Sequence, residues 1–296
     1  MSSKNTFHIA PVREKLVSVN SIFEFSQLSV PRNPARDLQI VLPEEMPVKK
    51  KGLSFKEGQA RLLHDLANIE LQAMELCLRT YFEFPEAPGE FKEQLRDIAF
   101  GEAKHLGLAL DAMESLGFQW GDWPASLSLW NAVSIEDTLL DRILIVHRYL
   151  EGSGLDAGDT LLKKLSGVLE GPAHKVIRII VEEELGHVQF GSRWYTEICK
   201  IEKIDPQEDF SKRLNGLKYK IPKRIENVNR ELRKKAGFTD SEVDFLESYR
   251  RGNIAPVSKV DIKTTHPVIG NATDPQVGVQ ASLFQFEPVL DRPLVN

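Results

Sequence analysis

Between about Ser54 and Ile201 the chain has few prolines and repeats its apolar residues at steps of three and four, and twice the same polar pair interrupts the repeat. Apolar rows of that period are the buried faces of helices, and they predict helices near 56–83, 90–117, 134–151, 159–169 and 172–201. In the second helix the row reads Leu95, Ile98, Glu102, His105, Ala109, Ala112 and Leu116. In the last it reads Ala173, Ile177, Ile180, Glu184, His187, Gly191, Trp194 and Ile198. A Glu-x-x-His spacing puts both side chains on one helical face, and here that face is the inward one. A carboxylate buried without a partner is costly or gives up its charge, so two such pairs in one core predict a shared metal.

Two metals held this way require one more carboxylate from each remaining helix. In the first helix Glu70 lies in the row Leu63, Leu66, Glu70, Ala73, Cys77, Thr80, and in the third Glu151 ends the row Leu140, Leu144, His147, Glu151. Glu75, Glu136 and Asp141 fall off these rows and are read as surface residues. Glu70 and Glu102 are 32 residues apart, Glu151 and Glu184 are 33 apart, and the two sets are offset by 81 and 82. This is a degenerate repeat of two hairpins, each giving one Glu and one Glu-x-x-His about a pseudo-twofold axis. The predicted metal ligands are Glu70, Glu102, His105, Glu151, Glu184 and His187. Oxygen-rich ligation with two imidazoles suits two iron ions, with manganese as the other candidate.

Around this core the chain divides into an extended N-terminal arm (1–53, broken by Pro31, Pro34, Pro43 and Pro47), the four-helix bundle (54–201), additional charged helices (202–251) and an irregular tail (252–296). Ser134 with Asp137 reads as an N-terminal cap, and Gly152, Gly154 and Gly158 as the exit of the third helix. The formal net charge of -5 gives no global field for nucleic acid or membrane. Two cysteines, Cys77 and Cys199, form no CxxC pair, which excludes a disulfide framework and a thiolate-bound iron or zinc. No apolar run approaches the ~20 residues of a membrane span, and the N-terminus lacks a signal-peptide pattern. A soluble, cytoplasmic protein is expected.

The bundle with its six residues resembles the ferritin-like superfamily of di-iron carboxylate proteins. The segments HDLANIELQAMEL, FGEAKHLGLALDAMESLGF, LEGSGLDAG and VEEELGHVQFGSRWY are similar to the bacterial domain-of-unknown-function 455 family within it. The resemblance implies an all-α, ferritin-like four-helix bundle with Glu102 and Glu184 as catalytic bridging carboxylates and Glu70 and Glu151 as terminal ligands. It further implies an oxygen- or peroxide-dependent oxidoreductase of hydroxylase or oxidase type, acting on a small or tethered substrate. Lacking a cysteine-bound iron, such an enzyme takes its electrons from a separate donor protein or from the substrate, and works as a monomer or homodimer.

Two other readings stand beside it. One is a ferroxidase handling iron or peroxide. The other is an RNA-modifying hydroxylase using ten Lys or Arg between Ser211 and Lys235 (Lys212, Arg213, Lys218, Lys220, Lys223, Arg224, Arg230, Arg233, Lys234, Lys235), although a basic segment that pairs with the acidic remainder explains these more cheaply. His64 is read as a capping or supporting residue, and His147 as a partner of Glu151, an extra ligand or a core histidine. Arg148, Arg193 and Trp194 are read as charged-face and core residues ahead of substrate anchors.

Overall fold

The computed structural model describes residues 5–47, 50–224 and 226–253. Helices α2 (Lys56–Glu83) and α3 (Gly89–Ser115) keep the predicted rows inward and pack along their lengths through the short turn at Phe84-Pro85. A second long rod follows. Helix α4 (Leu139–Ile143) runs unbroken into a π-helical segment, Leu144–Leu150, and on into α5 (Glu151–Leu165). Helix α6 (Pro172–Glu202) returns against it and also packs on α3, which closes an all-α helical bundle. Among the described residues the only β pairing is an isolated bridge between Ile40 and Ala125. None of the described helices is long and apolar enough to cross a membrane.

The predicted helices 134–151 and 159–169 are therefore one rod, starting later and ending earlier than expected. Thr138 is its cap: its hydroxyl accepts from the Asp141 N–H while the Asp141 carboxylate accepts from the Thr138 N–H. Ser134 lies in the preceding turn, where its N–H donates to Asp137. Glycine disfavours helix by ~1 kcal/mol, which is why the Gly152–Gly158 stretch reads as an exit. Packing outweighs that preference. A Cβ on Gly152 would lie 2.0 Å from the Arg233 guanidinium, and one on Gly158 would lie 2.4 Å from Val181.

The arm is less extended than its prolines suggest. Helix α1 (Val12–Ile22) precedes Pro31 and buries Val12, Lys15, Val19 and Ile22. Glu75 of α2, expected at the surface, is fully buried, where it accepts from Lys15 Nζ at 2.6 Å and from both terminal nitrogens of Arg36. Glu136 is exposed as expected, and Asp141 is half-buried and paired with Arg213 at 2.7 Å.

The tryptophan-containing connection 116–138 closes over α2. Buried Gln72 accepts from the N–H groups of Leu129 and Trp130 and donates to Ser126 O, so a polar side chain in mid-helix is satisfied by loop backbone. His64 is wholly buried, stacked on Trp120 with ring centroids 4.8 Å apart. Its Nε2 accepts from Gly121 N–H, and burial lowers its pKa to about 4. It holds the connection in place.

Helices α7 (Pro206–Leu217), α8 (Arg230–Lys235) and α9 (Asp240–Asn253) cover the α5–α6 face. Buried Asp156 of α5 accepts from Arg233 at 2.7 Å and from Arg250 at 2.9 Å, tying α5 to α8 and α9. The expected irregular tail begins inside α9, and residues 254–296 lie outside the described part of the chain.

Candidate metal centre

Midway along the bundle, α2 contributes Glu70, α3 contributes Glu102 and His105, and α6 contributes Glu184 and His187. Glu70, Glu102, His105 and Glu184 each offer a ligand atom within 4.8 Å of the others, and all four are buried. His187 joins them through Glu102 Oε1, 2.8 Å from its Nδ1, and through Glu184 Oε2 at 3.6 Å. The two Glu-x-x-His units have matching internal geometry: His105 Nδ1 lies 3.7 Å from Glu102 Oε2, as His187 Nδ1 lies 3.6 Å from Glu184 Oε2. The two Glu-x-x-His units thus share one local geometry, whereas the remaining glutamates of the repeat, Glu70 and Glu151, fall in different clusters.

These atoms converge without satisfying one another. Glu70 Oε2, both Glu102 oxygens, His105 Nδ1, Glu184 Oε2 and His187 Nδ1 are all buried and lack hydrogen-bond partners among the described residues. Even the 2.8 Å approach of His187 to Glu102 lacks hydrogen-bond alignment. Buried polar atoms are nearly always paired, so six orphans gathered around Glu102 are the arrangement that bound cations satisfy.

The charges respond as they must when only protons balance them. Burial pushes Glu70 well above the usual carboxylate range, and burial with neighbouring Glu102 raises Glu184 to about 7. Burial opposes charge on the imidazoles as well, but the facing carboxylates overcome it and lift His105 to about 11 and His187 to about 12. Glu102, between the two, stays ionised: burial works against its charge, and His187 and His105 hold its pKa below the carboxylate range. The cluster demands positive charge.

Glu151, the sixth predicted ligand, is turned to a neighbouring buried group. Its carboxylate accepts from His147 Nδ1 at 2.9 and 3.0 Å, and with Cys77 the two residues form a second cluster able to hold an ion. The π-helical segment sets this up, with Glu151 N–H bonding Val146 O five residues back. His147 Nε2 has no partner among the described residues. Cys77 was visible in the sequence only as a member of the Glu70 row, one residue in a core seam.

Other residues shape the site. Glu183, at the rim, accepts from His105 Nε2 at 3.0 Å and fixes the ring with Nδ1 inward, a role marked in the chain only by three consecutive glutamates. Gly101 leaves room for the His187 ring, since a Cβ there would lie 2.9 Å from Nε2, and Gly191 lets α6 approach the His147 backbone. A cavity of about 80 Å³ between α2, α5 and α6 reaches Glu70, Glu151 and Glu184, with walls mainly of leucine, isoleucine and valine.

Arg148 is buried against Glu242 and the rings of Tyr195, Phe210 and Phe238, while Arg193 and Trp194 bond Gln94. The basic segment is largely spent within the fold. Arg213 pairs with Asp209 and Asp141, Lys220 with Asp137, Arg230 with Asp244, Arg233 with Asp156, Lys234 with Asp240 and Lys235 with Glu231.

Residues 5–244 match the family described as "Protein of unknown function (DUF455)". The chain is also 32% identical over 216 residues to an "Uncharacterized protein" of Haemophilus influenzae, covering 70% of this chain and 73% of that one. No solved structure matches. The chain belongs to the DUF455 family, and the match runs through the arm, the bundle and helices α7 and α8.

Proposed function

Taking membership of the DUF455 family as the premise, we propose that this protein is a dimetal carboxylate oxidoreductase, with iron as the fitting metal and manganese as the alternative. Glu70, Glu102 and His105 would hold one ion and Glu102, Glu184 and His187 the other, with Glu151 next to the second. The observation that carries this reading is the set of six orphaned, inward-facing donor atoms on three helices. Their composition of carboxylate oxygens and imidazole nitrogens suits iron or manganese. The plan resembles that of ferritin-like di-iron proteins, which supports the reading.

Bound iron would supply redox chemistry with dioxygen or peroxide. The chain's own residues do the rest. Glu183 holds the His105 ring by its Nε2, so Nδ1 keeps its lone pair for the site. His147 steadies the Glu151 carboxylate, and the hydrocarbon walls of the adjoining cavity exclude water from a substrate seated beside Glu70, Glu151 and Glu184. The close ion pairing of the basic segment gives no matching support to an RNA substrate.

Elemental analysis of protein purified without chelator tests the proposal. The expected content is about two iron or manganese ions per chain, falling below one in Glu102→Ala and in His187→Ala. Wild-type protein that takes up neither metal when supplied anaerobically with Fe(II) or with Mn(II) would overturn it.

A further inference from the structure

The cavity that reaches the carboxylate cluster also contains a cation. Arg224, on the segment after α7, lines it together with Glu70, Glu151 and Glu184, yet forms no ion pair with these or any other carboxylate among the described residues. Its side chain is only 6% exposed, and its buried Nε has no hydrogen-bond partner. An orphaned Nε is shared with Arg61, Arg148 and Arg250, but each of the other buried arginines has an ion pair: Arg61 with Asp65, Arg79 and Arg142 with Glu83, Arg148 with Glu242, and Arg233 and Arg250 with Asp156. Arg233 and Arg250 both add to the positive potential at Arg224, with Glu226 and Tyr149 acting in the opposite sense.

The segment is held firmly enough to present this group. Lys220 pairs with Asp137, Ile221 is buried, and Tyr149 O–H donates to Pro222 O at 2.8 Å. Besides Arg224 and the three carboxylates, the cavity is walled by side chains such as Leu66, Leu150, Leu161, Ile177 and Ile180. Gly154, exposed at the edge, leaves the way open, because a Cβ there would meet nothing within 4 Å. A buried guanidinium with no ion pair, at an apolar cavity, is a fork of donors matched to a planar anion.

We propose that this cavity binds a small organic carboxylate, its head paired with Arg224 and its hydrocarbon body directed along the apolar walls toward Glu70, Glu151 and Glu184. This assigns a substrate class to the oxidoreductase proposed above and rests on that reading for its consequence, but the binding itself needs no metal. The part of the molecule nearest the cluster is then a carbon chain, placed where oxidation would occur, and the anionic head is kept apart from the acidic residues that would repel it.

Calorimetric titration with hexanoate, and with hexan-1-ol and hexylamine as neutral and cationic controls, tests this on the full chain in metal-free and metal-loaded forms. Hexanoate is expected to bind in both forms at least about tenfold more tightly than either control. Arg224→Gln should abolish that preference without changing metal content, and Arg224→Lys should restore part of it. Gly154→Leu, which strengthens the helix while narrowing the opening, should weaken all three ligands. Equal binding of hexanoate and hexanol, or unchanged hexanoate affinity in a folded Arg224→Gln protein, overturns the proposal. Hexanoate binding that appears only with metal and ignores Arg224 also overturns it, by placing the head on the metal. Should the wild type take up no metal yet still prefer hexanoate through Arg224, the carboxylate site stands and the redox reading fails.

Discussion

Glu70 and Glu75 sit five residues apart on the same helix, both buried, and have opposite surroundings. Glu75 receives hydrogen bonds from Lys15 and from two nitrogens of Arg36, so the arm closes around it as a finished ion cluster. Glu70 faces Glu102, His105 and Glu184, and its Oε2, 3.4 Å from His105 Nδ1, has no hydrogen-bond partner among the described residues. The contrast separates two uses of buried charge. One is complete within the protein and ties segments together; the other is complete only when something is added.

Mutation should expose that contrast most strongly at the finished cluster. Glu75→Ala leaves Lys15 and Arg36 with no carboxylate, and the expected loss, read from urea unfolding, is toward ~5 kcal/mol in metal-free and metal-loaded protein alike. Removing metal by chelation should cost the wild type roughly 3 kcal/mol of apparent stability when metal was present at about a hundredfold over its dissociation constant. The same treatment should leave Glu102→Ala unmoved. If chelation shifts neither protein, the two clusters do not differ in the way described.

The pH dependence sharpens the comparison further. Without metal, His105 and His187 have folded pKa values of about 11 and 12, raised from 6.5, so their contribution is full below 6.5 and is lost as pH climbs through those values. Glu184, raised from 4.5 to about 7, works in the same direction between those two values. Metal-free protein should therefore lose stability on going from pH 6.5 to 9, by ~1.4 kcal/mol per unit for each proton kept only by the folded state. Bound metal replaces those protons and should flatten the profile, as urea midpoints at several pH values would show.

The smallest effect is the most diagnostic. In metal-free protein Glu70 must carry a proton to stay buried, since its pKa is held well above the carboxylate range. Glu70→Gln removes that requirement and should stabilise the metal-free protein by about 1 kcal/mol while reducing metal uptake. The same isosteric change at Glu75 should destabilise. Two changes of equal sign would show that Glu70, like Glu75, is a structural residue.

Much of this was legible in the chain itself. The rows through Glu70, Glu102–His105 and Glu184–His187 put those residues inward on helices whose limits came out within a few residues, because long amphipathic helices bury whichever face is apolar. Residues off a row were harder. Glu75 was assigned to the surface because periodicity describes one helix against one core, and nothing in it shows an arm folding back to cover the other face. Gly152 and Gly158 of α5 were read as part of a helix end, although they make room for Arg233 and Val181, which lie far away in sequence. Cys77, Glu183 and Arg224 were missed as parts of the site for the same reason.

The sequence by itself determined an all-α chain with carboxylates and imidazoles on the inner faces of its helices, since local hydrogen bonding and a 3.6-residue period decide both. The tertiary structure decided which buried charges find partners and which are left facing an apolar cavity. That distinction depends on atoms within a few ångströms that come from distant segments, and spacing along a chain does not encode it.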